Sequence, residues 1–276
     1  IIKRLWFILL AGIAFIMVFI ISVNYNISNL FGGMPSLQDL EKPESELSSE
    51  LYSSDNILLG KYFRYNRSPV KFDELSDELV TTLLVTEDIR FYEHSGIDLK
   101  GLVRATYGVV KNVATFGSSG LEGGGSTITQ QLAKNLFKIR REKKGKLSNV
   151  PFLGLIISKV KEWIVAVKLE EFYTKKEILA MYLNTAEYGS NSYGIKVAAK
   201  TYFDKDPSEL NYNESSIIVG LLNKPTKYNP FFNPENATEK RSEIFYNLYK
   251  YNIVNKTEYD SLILTNLNLN YKVQNQ

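Results

Sequence analysis

Residues 123–135 read Gly123-Gly-Gly-Ser126-Thr127-Ile-Thr-Gln130-Gln131-Leu-Ala-Lys134-Asn135. Three glycines feeding a helix start leave backbone N–H groups open to an anion, and the hydroxyls, amides and lysine that follow add donors. The Gly-Lys-Ser/Thr ending is absent, so the segment is not a P-loop. The plain alternative is a polar helix entry with an amide-rich surface. Against it stands the density of hydrogen-bonding side chains directly after the glycines. Downstream, residues 134–146 hold Lys134, Lys138, Arg140, Arg141, Lys143, Lys144 and Lys146 against Glu142. A basic run is usually a solvated loop, but beside this helix start it favours an anionic substrate such as a phosphate ester.

Composition narrows the chemistry. The 276 residues are 44% apolar and 23% charged, with a net charge of +3, no cysteine and one histidine, His94. That excludes a disulfide scaffold, a thiolate zinc site, a cysteine nucleophile and a histidine-ligated metal cluster. Carboxylates, hydroxyls, amides and cations remain. Upstream lies Glu87-Asp88-Ile-Arg-Phe91-Tyr-Glu-His94-Ser-Gly96. Two adjacent carboxylates near a helix end, with aromatics beside them, can serve as base or acid. They can equally be an ordinary acidic helix end with a structural histidine. Further on, Ser158-Lys159-Val-Lys161-Glu162-Trp163 places Lys159 and Glu162 three apart, off the apolar stripe, and reads as a surface salt bridge.

The charge is unevenly laid out. Leu5 to Val23 is nineteen residues without a charge, a helix about 28 Å long and close to the hydrocarbon thickness of a bilayer. Lys3 and Arg4 precede it, so a cytoplasmic stub (1–4), a transmembrane helix (5–23) and an outside catalytic part are expected. No small-residue cleavage site follows, which disfavours a signal peptide. Residues 24–49 read as a stalk, acidic toward its end. The stretch after Glu50 alternates across Ser-Asp-Asn and predicts a short β-hairpin. From Asp73 to Leu262 the periodicity is helical, including a capping box at Thr174–Glu177 before Ile-Leu-Ala-Met-Tyr-Leu-Asn. Residues 263–276 read as a polar tail or linker. The fold class is therefore mainly α, and the near-neutral remainder excludes a nucleic-acid partner.

The order EDxxFxxHxG, GGSTITQQLAKN, KxKE and KKEILAMYLN resembles the peptidoglycan glycosyltransferase domain of class A penicillin-binding proteins and monofunctional murein polymerases. The resemblance covers residues 50–262. It implies a lysozyme-like, two-lobed (head and jaw) fold, and polymerisation of lipid II with inversion and loss of undecaprenyl pyrophosphate. By motif match Glu87 is the general base, and Glu162 a second carboxylate that orients the substrate or departing pyrophosphate. Asp88, Ser126, Thr127, Gln130, Gln131, Lys134, Asn135 and Lys159 are expected to bind substrate. His94, Phe91 and Tyr182 are expected to be structural. No obligatory cofactor is implied, with room for a divalent cation (Mg or Mn). The expected partners are lipid II, the growing lipid-linked strand, the membrane and cell-wall synthesis proteins.

The sequence departs from the family pattern. Ser158 stands where arginine is usual and Ala180 where glutamate is usual, and the fifth motif survives as Lys240-Arg241-Ser-Glu-Ile244-Phe245. Arg140 or Arg141 is expected to supply the missing cation, and the extra apolar residues 150–157 to lie near the membrane. Lys-Thr-Gly is absent, so the chain is expected to stop before any transpeptidase domain. Two other readings compete: a lysozyme-like hydrolase or lytic transglycosylase, which needs no pyrophosphate contacts, and an inactive envelope scaffold.

Overall fold

The structure is a computed structural model that describes residues 2–41, 49–55, 58–62, 69–114, 125–137, 139 and 145–272. Among these, helices α1 (Ile2–Asn24) and α2 (Leu37–Glu41) precede strands β1 (Ser49–Tyr52) and β2 (Leu58–Tyr62). Helices α3 (Asp77–Glu87), α4 (Leu99–Ala114), α5 (Ile128–Leu136) and α6 (Pro151–Phe172) follow. The remainder is α7 (Lys175–Thr185), α8 (Ile195–Phe203), α9 (Tyr212–Asn223), α10 (Pro234–Lys250) and α11 (Lys256–Leu264). The protein is mainly helical, as its periodicity predicts. Several expectations fall outside the described residues: most of the acidic end of the stalk, Asn56 of the Ser-Asp-Asn turn, Gly123, Gly124, Arg140 and Arg141. The strands pair antiparallel with Ser49 opposite Tyr62, Glu50 opposite Lys61 and Leu51 opposite Gly60, and the register shifts before Tyr52.

Two compact units make up the chain. The first comprises Ile1–Pro43, Ser95–Ile97 and Thr129–Phe172. Beyond Lys3 and Arg4, helix α1 is apolar all round, and it is long and apolar enough to cross a membrane, which is the composition of a helix with no aqueous face. Most of its length is exposed, and only its last turns pack. There Phe19, Ile20 and Val23 join Phe31 and the α6 residues Ile157, Val160 and Ile164 in one cluster. Beyond α1, Asn26 adopts a left-handed conformation, and its Oδ1 accepts from the N–H groups of Phe31 (3.0 Å) and Gly32 (2.7 Å). The segment after the basic run lies on this loop, with the Leu147 N–H donating to the Leu30 carbonyl (2.9 Å). A Cβ at Gly145 would fall 2.2 Å from the Gly32 nitrogen, so only glycine permits that approach. Leu147 and Leu153 pack on the cluster, whereas Val150, Phe152, Leu155 and Ile156 are exposed.

The second unit comprises Glu44–His94, Asp98–Ile128 and Tyr173–Gln276. Helices α3, α9 and α10 pack on one another through buried Leu79, Leu83, Ile217, Ile218, Ile244 and Phe245. Leu83 follows Leu79 by four residues, and buried Leu221 and Leu248 follow the α9 and α10 pairs by three and four, so one face of each helix is removed from water. The capping box of α7 forms as its sequence announces: Thr174 Oγ1 accepts from the Glu177 N–H, and Glu177 returns the bond to the Thr174 N–H (2.8 Å). At its other end Asn184 exchanges two hydrogen bonds with the backbone of Val70 (2.8 and 3.0 Å). Residues 266–272 run back along the unit. Asn270 and Lys272 donate to the carbonyls of Tyr202 and Thr201, and Tyr271 stacks on Phe231 at 4.1 Å.

Candidate functional site

In the second unit, Ser76 caps α3 by accepting from the Leu79 N–H, and Glu87 ends that helix half-buried. Tyr182 on α7 is almost wholly enclosed, and burial, then the nearby charge of Glu87, push its hydroxyl well above the ordinary range. Tyr182 thus stays a neutral donor within electrostatic reach of Glu87. Its signal was its place in the α7 motif rather than any spacing from Glu87.

Asp88 is only 7% exposed. Its carboxylate accepts from His94 Nε2–H (3.1 and 3.2 Å) and from the Ile128 N–H (3.1 Å). These bonds hold the carboxylate inside the protein. His94 and Phe91 meet edge to face at 6.2 Å. Lys175 Nζ lies 4.2 Å from the Phe91 ring centroid and donates to the His94 carbonyl (2.7 Å). The histidine is structural, as expected. Asp98 caps α4 through the Gly101 N–H (3.0 Å) and pairs with Arg90. Burial would raise the Asp98 carboxyl, but the Arg90 hydrogen bond, the Gly101 amide and the Arg90 charge outweigh it and hold it below the usual range. Ser126 is half-buried and Thr127 fully so.

In the first unit, α5 splits the Thr-Gln-Gln motif between two faces. Thr129 Oγ1 donates to Glu170 (2.6 Å), and the buried Gln130 donates from Nε2 to the Gly96 carbonyl (3.1 Å). Gln131, Lys134 and Asn135, spaced three and four apart, share one stripe of α5 and are half-buried or exposed. Gly96 has φ +87°, and a Cβ there would meet the Ala166 backbone at 2.9 Å. The glycine ending the first motif therefore lets Gln130 and α6 close on the same backbone. On α6, Lys159 Nζ lies 2.8 Å from Glu162 Oε2, with the lysine 37% and the glutamate 1% exposed. The expected ion pair forms, but it is not a surface pair: its carboxylate is enclosed. A buried acid thereby holds a cation that is itself only partly exposed. Lys161 and Thr129, which sequence reasoning did not single out, are both buried in polar contacts. No group of three or more His, Cys, Asp or Glu placed to hold a metal is found among the described residues.

The sequence profile of the family described as Transglycosylase matches residues 55–249, which takes in every residue above. The chain belongs to the transglycosylase family. This transglycosylase carries the peptidoglycan glycosyltransferase domain and is homologous to the N-terminal part of class A penicillin-binding protein 1A. It is 34% identical over 228 residues to "Penicillin-binding protein 1A" of Vibrio cholerae, covering 83% of this chain and 26% of that one. It is 36% identical over 222 residues to "Penicillin-binding protein 1A" of Haemophilus influenzae, covering 80% and 24%. A crystal structure of Penicillin-Binding Protein 1A from Haemophilus influenzae aligns with TM-score 0.45 at 21% identity, covering 84% of this chain and 22% of that one. The transglycosylase thus spans about a quarter of the length of the curated relatives it matches.

Proposed function

We propose that this transglycosylase is a membrane-anchored peptidoglycan glycosyltransferase with the lysozyme-like fold that the resemblance implies. It polymerises lipid II into β-1,4 glycan strands with inversion and release of undecaprenyl pyrophosphate. The observation that carries the reading is the Lys159–Glu162 pair, a partly exposed cation held by a buried acid, in a unit that also presents Lys134, Gln131 and Asn135 on one helix face. A glycan hydrolase has no leaving-group pyrophosphate to hold. A polymerase needs cations where that negative charge gathers.

In this reaction Glu87 takes the proton of the acceptor 4-hydroxyl as that oxygen bonds to the anomeric carbon of the growing strand. The bond from that carbon to the phosphate oxygen breaks with inversion, and the electron pair leaves on the pyrophosphate. Lys159 and Lys134 receive that charge, Gln131, Asn135 and Ser126 hold sugar and phosphate oxygens, and Tyr182 steadies the Glu87 carboxylate. Asp88, through the Ile128 N–H, and Gln130, through the Gly96 carbonyl, each hold backbone within their own unit. The reading needs no cofactor, and a divalent cation enters, where one is used, with the substrate's pyrophosphate.

Helix α1 serves as a single-pass anchor in the cell membrane. Lys3 and Arg4 keep its N-terminus cytoplasmic and the catalytic part on the outer (periplasmic) side. The exposed apolar residues Val150, Phe152, Leu155 and Ile156, interspersed with Leu153 and Ile157 that cluster with the end of α1, rest in this reading against the lipid surface. The test is polymerisation of labelled lipid II by the wild type and by Glu87→Gln. Wild type is expected to make polymer, and the variant to lose about 10²- to 10⁴-fold in rate, the usual contribution of a general base. A fully active variant refutes the assignment of the base, and cleavage of preformed glycan without polymer formation refutes the reaction.

A further inference from the structure

Lys161 is one of the most deeply buried large side chains among the described residues, at 2% exposed. A buried ammonium is costly unless its hydrogens are taken up. Its Nζ donates to the carbonyl of Gly33 (3.2 Å), in the strand of backbone that leaves α1. Two helical turns further along α6, Lys168 Nζ lies 3.4 Å from Asn24 Oδ1, at the last residue of α1. Seven residues apart, the two lysines lie on one face of α6, and Ile157, Val160 and Ile164 of the same helix pack against Phe19, Ile20 and Val23 of α1. The face that grips the anchor exit is therefore polar at two points and apolar around them.

We infer that Lys161 is a positioning residue that sets the rotation of α6 through the anchor exit, and hence where Glu162 and Lys159 point. This rests on the reading of Lys159 and Glu162 as part of the reaction's machinery. Glu162 is the next residue along, about 100° around the helix from Lys161. The apolar contacts alone permit small rotations, because packed methyl and ring groups are not directional. A hydrogen bond from a cation to one carbonyl is directional and charge-assisted. A group about 6 Å from a helix axis moves about 1 Å for each 10° of rotation, and a 1 Å misplacement can cost about 10²-fold in rate. The anchor is thus part of the active machinery, and the stem of Lys161 is the link.

The test uses the full chain in detergent micelles, with Lys161→Met, which keeps the buried apolar stem and removes the ammonium. Expected results are a melting temperature close to wild type, faster amide exchange over residues 29–34, and a kcat for lipid II polymerisation lower by about 10- to 100-fold with KM within about twofold. A lysine with a merely structural role would lower the melting temperature and leave kcat of the folded enzyme and local exchange unchanged. A folded Lys161→Met with wild-type kcat overturns the inference. Should Lys161→Met not fold, Lys168→Met decides, because its side chain is only half-buried. It is expected to quicken exchange over residues 24–30 and lower kcat about threefold to tenfold, and wild-type values overturn the inference. Glu162→Gln in the same assay separates the two layers: an active Glu162→Gln refutes the role of Glu162, whereas an inactive one beside a full-speed Lys161→Met refutes the positioning alone.

Discussion

Replacing Gly96 with alanine sets a measurable cost on the junction that brings α5 and α6 together on one backbone segment. Gly96 has φ +87°, where a residue with a Cβ pays about 1–2 kcal/mol. The new Cβ would stand 2.9 Å from both the Ala166 carbon and oxygen and 3.0 Å from the Val167 nitrogen. All three are backbone atoms and cannot swing aside as a side-chain tip can. Carbon contacts settle at about 3.5–4.0 Å, so residues 95–97 or α6 must retreat, and overpacking of this kind costs about 1–3 kcal/mol. The two effects together give about 2–5 kcal/mol. At about 2–4 °C per kcal/mol for a chain this size, the melting midpoint should fall by about 4–20 °C. Ala166 is one turn beyond Glu162 on α6, so the retreat also displaces the Lys159–Glu162 pair. Polymerisation should drop even at temperatures where the variant is folded. The assay is thermal unfolding of the full chain by circular dichroism, paired with lipid II polymerisation well below the midpoint. A midpoint within about 2 °C of wild type, or an unshifted midpoint with lost activity, would refute the packing argument.

Two further substitutions test the second unit. In Asp98→Asn the α4 cap survives, since asparagine caps as well as aspartate, while the charged bond to Arg90 is lost, at about 1–2 kcal/mol. Because the Asp98 carboxyl is held below its ordinary value, its stabilisation is present above the unfolded-state value of about 3.9 and fades as pH falls through the lower folded value. The wild-type advantage in thermal midpoint should therefore be constant near neutrality and vanish in strong acid. An advantage that persists there counts against the pair. Asp88→Asn removes an acceptor from either His94 or Ile128, which costs about 1–3 kcal/mol and should lower the midpoint by about 2–12 °C. An Asp88 that only bound substrate would leave the midpoint unmoved and raise KM.

The helical domain was readable because its signals are local. The α7 capping box, the α6 stripe and the charge-free run of α1 each depend on residues within a few positions of one another. The glycine-led motif was readable as a polar helix start, but not the direction of each side chain. Thr129 and Gln130 point inward only because Glu170 and Gly96 await them, and those partners lie about forty residues away in either direction. Lys161 was passed over for the same reason: in sequence it is one more lysine beside a glutamate, and its acceptor is a backbone carbonyl 128 residues upstream. In sequence Asp88 is one of two adjacent carboxylates at a helix end, which gives no sign that it is enclosed. Its burial comes from His94 and Ile128, which no spacing rule connects to it.

The two glutamates that the resemblance casts as base and second carboxylate sit in different surroundings. Glu162 is closed off from the outside and committed to Lys159 at 2.8 Å, so it can aim that cation but cannot reach an acceptor hydroxyl. In the proposed reaction that task falls to Glu87, half-buried at the end of α3 and beside a tyrosine whose proton its own charge helps to retain. A base must meet the group it deprotonates, within about 2.6–3.2 Å, whereas a charge that holds another charge in place works best out of water. Under the proposed reaction, the asymmetry in exposure therefore divides the labour in one direction only. Exchanging the roles would require Glu162 to break its ion pair and emerge from α6. It follows that loss of Glu87 should abolish the chemical step, while loss of Glu162 should act through the orientation of Lys159.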